Sequence, residues 1–248
     1  MIIHWFNQRF LSLKSFYATS GKLLPWLISA FSICFLYGLI AGLFFAPADY
    51  QQGDGFRIIY VHAPSAFTAM AIYAVMATCG VMTLVFRMKI AAICMSVSAT
   101  IGAWFTFLAL VTGSIWGKPM WGTWWIWDAR LTSELILLFL YMGYIGLYRA
   151  IPNPKSAAKI SAIFALMGVV DIPIIHYSVY WWNTLHQGAT ISQLSRPTID
   201  NSMLYPLLSM IVGFGFYALA LVAMRVRTEI LQREQGSHWI QSLTVRSV

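Results

Sequence analysis

Charge is scarce in this sequence. Asp, Glu, Lys and Arg make up 10% of its residues, where a soluble domain carries about 25%. The few charges also avoid long stretches of chain, which excludes an ordinary water-soluble core. Cysteine is scarce too: Cys34, Cys79 and Cys94 are the only three. All lie in apolar runs and none has CxxC spacing, which argues against a disulfide framework or a thiolate metal site and for plain helix packing. The phosphate-binding pattern GxxxxGK[ST] is absent, so any nucleotide hydrolysis must come from a partner. No cleavable leader is evident, because the first apolar run is too long and begins some way into the chain.

What the sequence has is length without charge. Six apolar runs span 23–46, 58–86, 91–116, 132–151, 160–180 and 203–224. Each is long enough to cross a bilayer as a helix, which needs about 20 residues. Helices satisfy their own backbone in lipid, and continuous runs do not fit the alternating strands of a barrel. The expectation is an all-α integral membrane protein with six transmembrane helices, forming one membrane domain over 1–248. The net charge of +8 does not indicate nucleic acid, because the basic residues lie between the runs. Arg9, Lys14, Lys22, Arg87, Lys89, Arg149, Lys155, Lys159, Arg225, Arg227, Arg233 and Arg246 fall on the side of the two chain ends. Only Arg57, Lys118, Arg130 and Arg196 fall on the other. Basic residues favour the cytoplasm, so both termini are expected there. Loops near 47–57, 117–131 and 181–202 then face outward.

The second of these loops, 117–131, carries the densest signal. Trp116-Gly-Lys-Pro-Met-Trp-Gly-Thr-Trp-Trp-Ile-Trp-Asp128 has five tryptophans in thirteen positions. An interfacial belt accounts for one or two tryptophans per helix end, not five. Gly117, Pro119 and Gly122 point to tight turns and to a flat, rigid aromatic surface suited to stacking a large planar ligand. Asp128 suits the cap of the fourth helix and Glu134 its first turn. Lys118 and Arg130 bracket the platform with positive charge, matching a ligand with an apolar plane and anionic edges such as haem. An Arg can pair a carboxylate bidentately, although snorkelling to water is the plain alternative.

Five histidines are present. His4 and His238 belong to the tails and read as solvated. His62, His176 and His186 gather toward the tryptophan side. Neutral imidazole is a common axial ligand of haem iron, and His62 with His186 is the candidate pair. His176, inside the fifth run, reads first as a helix–helix hydrogen bond. Asp171 lies in the same run, where an ionisable group is costly; its role stays open, with a protonated or water-linked contact favoured. Tyr180, Trp181 and Trp182 form another aromatic cluster beside His186. Gly38 and Gly42 read as close helix packing.

The segment Trp121-Gly-Thr-Trp-Trp-Ile-Trp-Asp128, continued by Ala-Arg-Leu-Thr-Ser-Glu134, resembles the WWD signature of the haem-handling membrane proteins of cytochrome c biogenesis. The short chain, the six runs, and the segments Phe45–Tyr50, Ile59–Pro64 and Trp181–Gly188 resemble the haem exporter protein C family in particular, from about 23 to 225. The resemblance implies that His62 and His186 are axial ligands of haem iron. It implies that Trp121, Trp124, Trp125, Trp127 and Asp128 form the haem-binding loop. The haem would be haem b, bound non-covalently and transiently, since the CxxCH motif of covalent attachment is absent. The implied function is haem presentation to a periplasmic haem chaperone at the bacterial inner membrane, beside ATP-binding cassette subunits and a small membrane subunit. That is haem handling and no enzyme activity. The alternatives are a transmembrane haem transporter, which should line several spans with polar residues where only Asp171 and His176 stand out, and a haem-based membrane electron carrier, which should hold its axial histidines within spans where the candidate pair falls toward the outer side; both patterns weigh against these readings.

Overall fold

A computed structural model describes residues 12–188, 191, 197 and 199–245. His4, Arg9, Arg196 and Arg246 lie outside the described residues. The chain forms α1 (Leu13–Ile40), α2 (Ile59–Val85), α3 (Lys89–Trp121), α4 (Ala129–Ala150), α5 (Pro154–Gly168), α6 (Asp171–Trp181), α7 (Asn201–Arg233) and the short α8 (His238–Val245). Six stretches are long and apolar enough to cross a membrane: Leu13–Phe45, Asp54–Val85, Lys89–Trp121, Ala129–Ala150, Pro154–Trp181 and Asn201–Arg233. The expected six-helix membrane fold is therefore present, and no strand occurs among the described residues.

The helices outrun the apolar segments that announced them. Hydropathy marks the lipid slab, while a helix ends only where its backbone is capped or broken. Ser12 starts α1 by accepting from the Ser15 amide at 3.1 Å. At the other extreme, α3 continues five residues beyond Trp116 until Gly122, whose φ of +77° is the left-handed position that glycine adopts without a Cβ penalty. Thus 117–121, expected as loop, is helical. The fifth span is not continuous: α5 stops at Gly168 and α6 begins at Asp171. Pro173 is the cause we identify, because it has no N–H for the carbonyl of Val169 four residues back.

Helix α2 is the centre of the bundle and packs on α3, α5 and α7, while α1 leans mainly on α7. Tyr60, Tyr73, Met76, Met95, Tyr141, Leu207 and Met210 are buried between them. Gly38 lets α1 close onto α7: a Cβ there would stand 2.5 Å from Met210 Cγ. Gly42 does the same for the Tyr60 ring, so both glycines are packing positions. The three cysteines are unpaired and half-buried on helices. A separate apolar cluster of Ile90, Ile93, Val226 and Ile230, with Leu13 and Trp239 against it, closes the end bearing the chain termini. The tryptophan segment closes the opposite end.

Candidate functional site

At the aromatic end, three connections converge on the first turns of α2. The segment before α2 is shaped by Asp49, whose Oδ1 accepts from the amides of Gln51 at 2.9 Å and Gln52 at 2.8 Å. Gly53, at φ +57°, closes that turn. Gln52 is thereby aimed at Trp116, whose Nε1 donates to Gln52 Oε1 at 2.8 Å. Arg57 donates to the Gly42 carbonyl at 2.6 Å, which satisfies a backbone oxygen in the π-helical turn that ends the first span.

His62 and His186 meet here. Their ring centres are 6.1 Å apart. His62 Nδ1 faces the Ala109 carbonyl at 3.0 Å and Thr112 Oγ1 at 3.2 Å. A carbonyl only accepts, and Thr112 already donates to Leu108 O at 2.7 Å, so His62 Nδ1 carries the proton. His186 Nδ1 faces the Gln187 carbonyl at 2.9 Å and must donate as well. Both imidazoles therefore keep the Nε2 lone pair free, the arrangement typical of a ligating histidine whose other nitrogen is held by a carbonyl. Burial of the His186 ring pushes its pKa down to about 4, with the Arg130 charge the next cause; the Gln187 carbonyl and Asp128 pull the other way. His186 is then neutral, and able to ligate, at neutral pH. Gly113 makes room for the other ring, since a Cβ at 113 would stand 3.0 Å from His62 Cε1.

Asp128 holds the histidine loop in place. Its Oδ1 caps α4, accepting from the Leu131 amide at 2.8 Å. Its Oδ2 accepts from the Thr184 hydroxyl, and Thr184 Oγ1 in turn accepts from the His186 amide at 3.1 Å. The expected capping role is present, with a loop tether added to it. Thr184 and Gln52 are parts of the site that the sequence did not single out, and Trp116, counted in the tryptophan segment, was not among the residues assigned to the haem-binding loop. A polar residue two positions before a candidate ligand was the available signal for Thr184.

The tryptophans do not form the expected flat surface. Trp116 and Trp121 meet edge to face, 4.9 Å apart at 82°, and Trp125 and Trp127 likewise, 5.5 Å apart at 77°. Residues 123–127 run without helix, through a bend at 122–124. Trp125 turns inward, its Nε1 buried, while Trp124 and Trp127 are exposed. Two hollows share the histidine pair as a common wall. The larger, about 250 Å³, is lined by His62, His186, Trp116, Arg130 and His176, with Phe67, Met70 and Met203 among its apolar residues. The smaller, about 30 Å³, adds Trp121, Trp125 and Glu134. Glu134 is buried with both carboxyl oxygens unpaired among the described residues, as is Trp125 Nε1.

The remaining candidates divide. Arg130 lines both hollows and donates to the Ile175 carbonyl at 2.5 Å, joining α4 to α6. Lys118 is exposed, donates to the Gly122 carbonyl at 3.0 Å and lines neither hollow. His176 forms no hydrogen bond among the described residues; instead of joining helices it faces the larger hollow. Asp171 is buried at the start of α6, with Oδ2 unpaired among the described residues. Among the described residues, no group of three or more His, Cys, Asp or Glu could enclose a metal ion. Two imidazoles suit a metal whose other positions are filled by its own ligand, as porphyrin fills those of haem iron.

The sequence model of the family described as Heme exporter protein C matches residues 6–241. The chain is similar to Heme exporter protein C of Escherichia coli K12, 51% identical over 93% of each chain. It is 50% identical to the protein of that name from Haemophilus influenzae, over 92% of each. The protein of that name from Bradyrhizobium diazoefficiens is 45% identical over 90% of this chain and 84% of its own.

Proposed function

The chain belongs to the haem exporter protein C family, and from that membership we propose that it binds haem b at the periplasmic face and presents it to a periplasmic haem chaperone. It is a multi-pass protein of the bacterial inner membrane. Haem is cargo here, held without a covalent bond and given up intact. One observation carries the proposal: two histidines, each with Nδ1 tied to a backbone carbonyl, leave both Nε2 atoms free with ring centres 6.1 Å apart. A metal–imidazole bond of about 2 Å, plus roughly 1.1 Å from nitrogen to ring centre, gives about 6 Å between two imidazoles on opposite sides of one metal.

The other residues follow from their surroundings. His62 and His186 are the axial ligands. Trp121 and Trp125 bear on the ligand from within, by edge or face contact. Trp124 and Trp127 offer an exposed aromatic edge to the chaperone. Arg130 supplies positive charge for a propionate, and Asp128 acts by keeping His186 in position. Lys118 contributes to the positive field at the rim. Residues 117–131 work as the haem-presenting segment of a single membrane domain, beside ATP-binding cassette subunits and a small membrane subunit. Only the iron–imidazole bonds form and break and the haem itself is unchanged, so this reading calls for no catalytic group.

The test is the absorption spectrum of haem bound to purified full-length chain. His62→Ala combined with His186→Ala should abolish the bis-histidine spectrum. A spectrum unchanged in that double variant sinks the assignment of the ligands.

A further inference from the structure

At the end of the bundle that carries the chain termini, α4 and α7 both pack on α3 but scarcely on each other. A groove of about 270 Å³ lies between them, with α3 as its floor. Arg149 enters it from α4 and Arg225 from α7, and Thr100 and Thr228 add hydroxyls. Neither guanidinium has a hydrogen-bond or ion-pair partner among the described residues. The acidic residue at hand, Glu229, is engaged by Arg233 at 2.7 Å. Tyr144 also lines the groove. It is 1% exposed, yet its hydroxyl has no partner among the described residues, and a buried hydroxyl without one is costly. Its ring is held by stacking on Tyr148, 6.1 Å away at 12°. Tyr148 OH accepts from Arg233 at 3.0 Å, which closes the far end of the groove.

Depth identifies the ligand. At 1.5 Å per residue, Arg149 lies about 30 Å along α4 from Ala129, and Arg225 about 36 Å along α7 from Asn201. A hydrocarbon core is about 30 Å thick. Both guanidiniums therefore stand at the level of the lipid phosphates on the basic side. Val97 and Ile145 also line the groove, apolar contacts that suit the start of an acyl chain. We infer that this groove between α4 and α7 binds the phosphate of an anionic phospholipid, held by Arg149 and Arg225 with the Tyr144 hydroxyl as a further donor. Guanidinium is the preferred partner for phosphate oxygens. A bound lipid would fill the gap between two helices that otherwise make little contact beyond the Tyr148–Arg233 hydrogen bond, and so fix the spacing of the fourth and sixth spans.

Free phosphate carries the same oxygens, so the experiment separates the two sources. The full-length chain in non-ionic detergent is titrated with phosphatidylglycerol or phosphatidylcholine of identical acyl chains, and bound lipid is counted by native mass spectrometry. The wild type should prefer phosphatidylglycerol. The variant Arg149→Gln with Arg225→Gln should lose about 30-fold of that preference, roughly fivefold for each cation near a membrane surface. Arg149→Lys with Arg225→Lys should keep most of it. Should the glutamine pair fail to fold, each single glutamine variant reads out its own fivefold. An undiminished preference in the glutamine variants overturns the proposal. So does complete displacement of the lipid by millimolar inorganic phosphate, which would make this a site for free anions.

Discussion

Thr184→Val tests the join between the tryptophan segment and the histidine loop. The substitution keeps the shape of the side chain and removes one hydroxyl. That hydroxyl donates to Asp128 Oδ2 and accepts from the His186 amide. A hydrogen bond to a charged group contributes about 1.5–3 kcal/mol, so losing the tether should cost the ordered loop about 2 kcal/mol. If the loop is then ordered only part of the time, apparent affinity falls by the fraction that remains competent. About 2 kcal/mol corresponds to about a 30-fold weaker apparent Kd for haem. Thr184→Ser restores the hydroxyl and should lie within about threefold of wild type. Both are measured by titrating haem into purified protein and following the Soret band. Wild-type affinity in Thr184→Val would refute the tether, and equal losses in the valine and serine variants would move the cause from hydrogen bonding to packing.

Two further outcomes are expected. The His186 ring, followed by NMR in the haem-free protein, should stay neutral well below pH 6.5 and protonate near pH 4; because the folded pKa is depressed, the unfolded chain binds more protons between those values, and stability should fall as pH drops through that window. Trp125→Ala should shift the absorption of bound haem and weaken its retention about tenfold or more, as loss of a buried ring does at a binding site, whereas Trp124→Ala should leave both within about twofold and slow transfer to an added apo-chaperone instead.

The fold was largely legible because lipid imposes a simple rule on sequence: six runs poor in charge gave six spans. Helix ends were not, since they follow from local events such as the left-handed glycine at 122 and the missing N–H of Pro173. The histidine pair was visible because both residues fall toward the outer side, His62 near the end of the second run and His186 in the third outer loop, and through the resemblance. Thr184 and Gln52 were not, because their roles depend on which loops meet. Hydrogen bonds from Thr184 to Asp128 and from Trp116 to Gln52 join residues 56 and 64 positions apart, beyond any local pattern. The flat platform failed for a physical reason as well. Gly122 ends the helix, so Trp121 is carried on α3 while Trp124, Trp125 and Trp127 lie on a bent, non-helical segment, and one continuous flat face is not formed.

The two proposed ligands are mounted differently, and this difference suits a protein that must both hold and release. His62 stands on α2, the most heavily packed helix of the bundle, with Nδ1 anchored to a turn of α3 by the Ala109 carbonyl and Thr112. Freeing that ring would mean moving one core helix against another. His186 lies beyond the end of α6 on a non-helical segment. Its position rests on one hydroxyl bridge to Asp128 and on contacts with Trp116 and the His62 ring. Local opening selects segments with few buried contacts over packed helices. In the proposed complex the bond on the loop would therefore be the easier one to break. Asp128, which ends the tryptophan segment and begins α4, is the residue through which a partner touching Trp124 or Trp127 would reach it. A chaperone that disturbed this exposed edge would loosen His186 first and leave the cargo on His62, one bond from transfer.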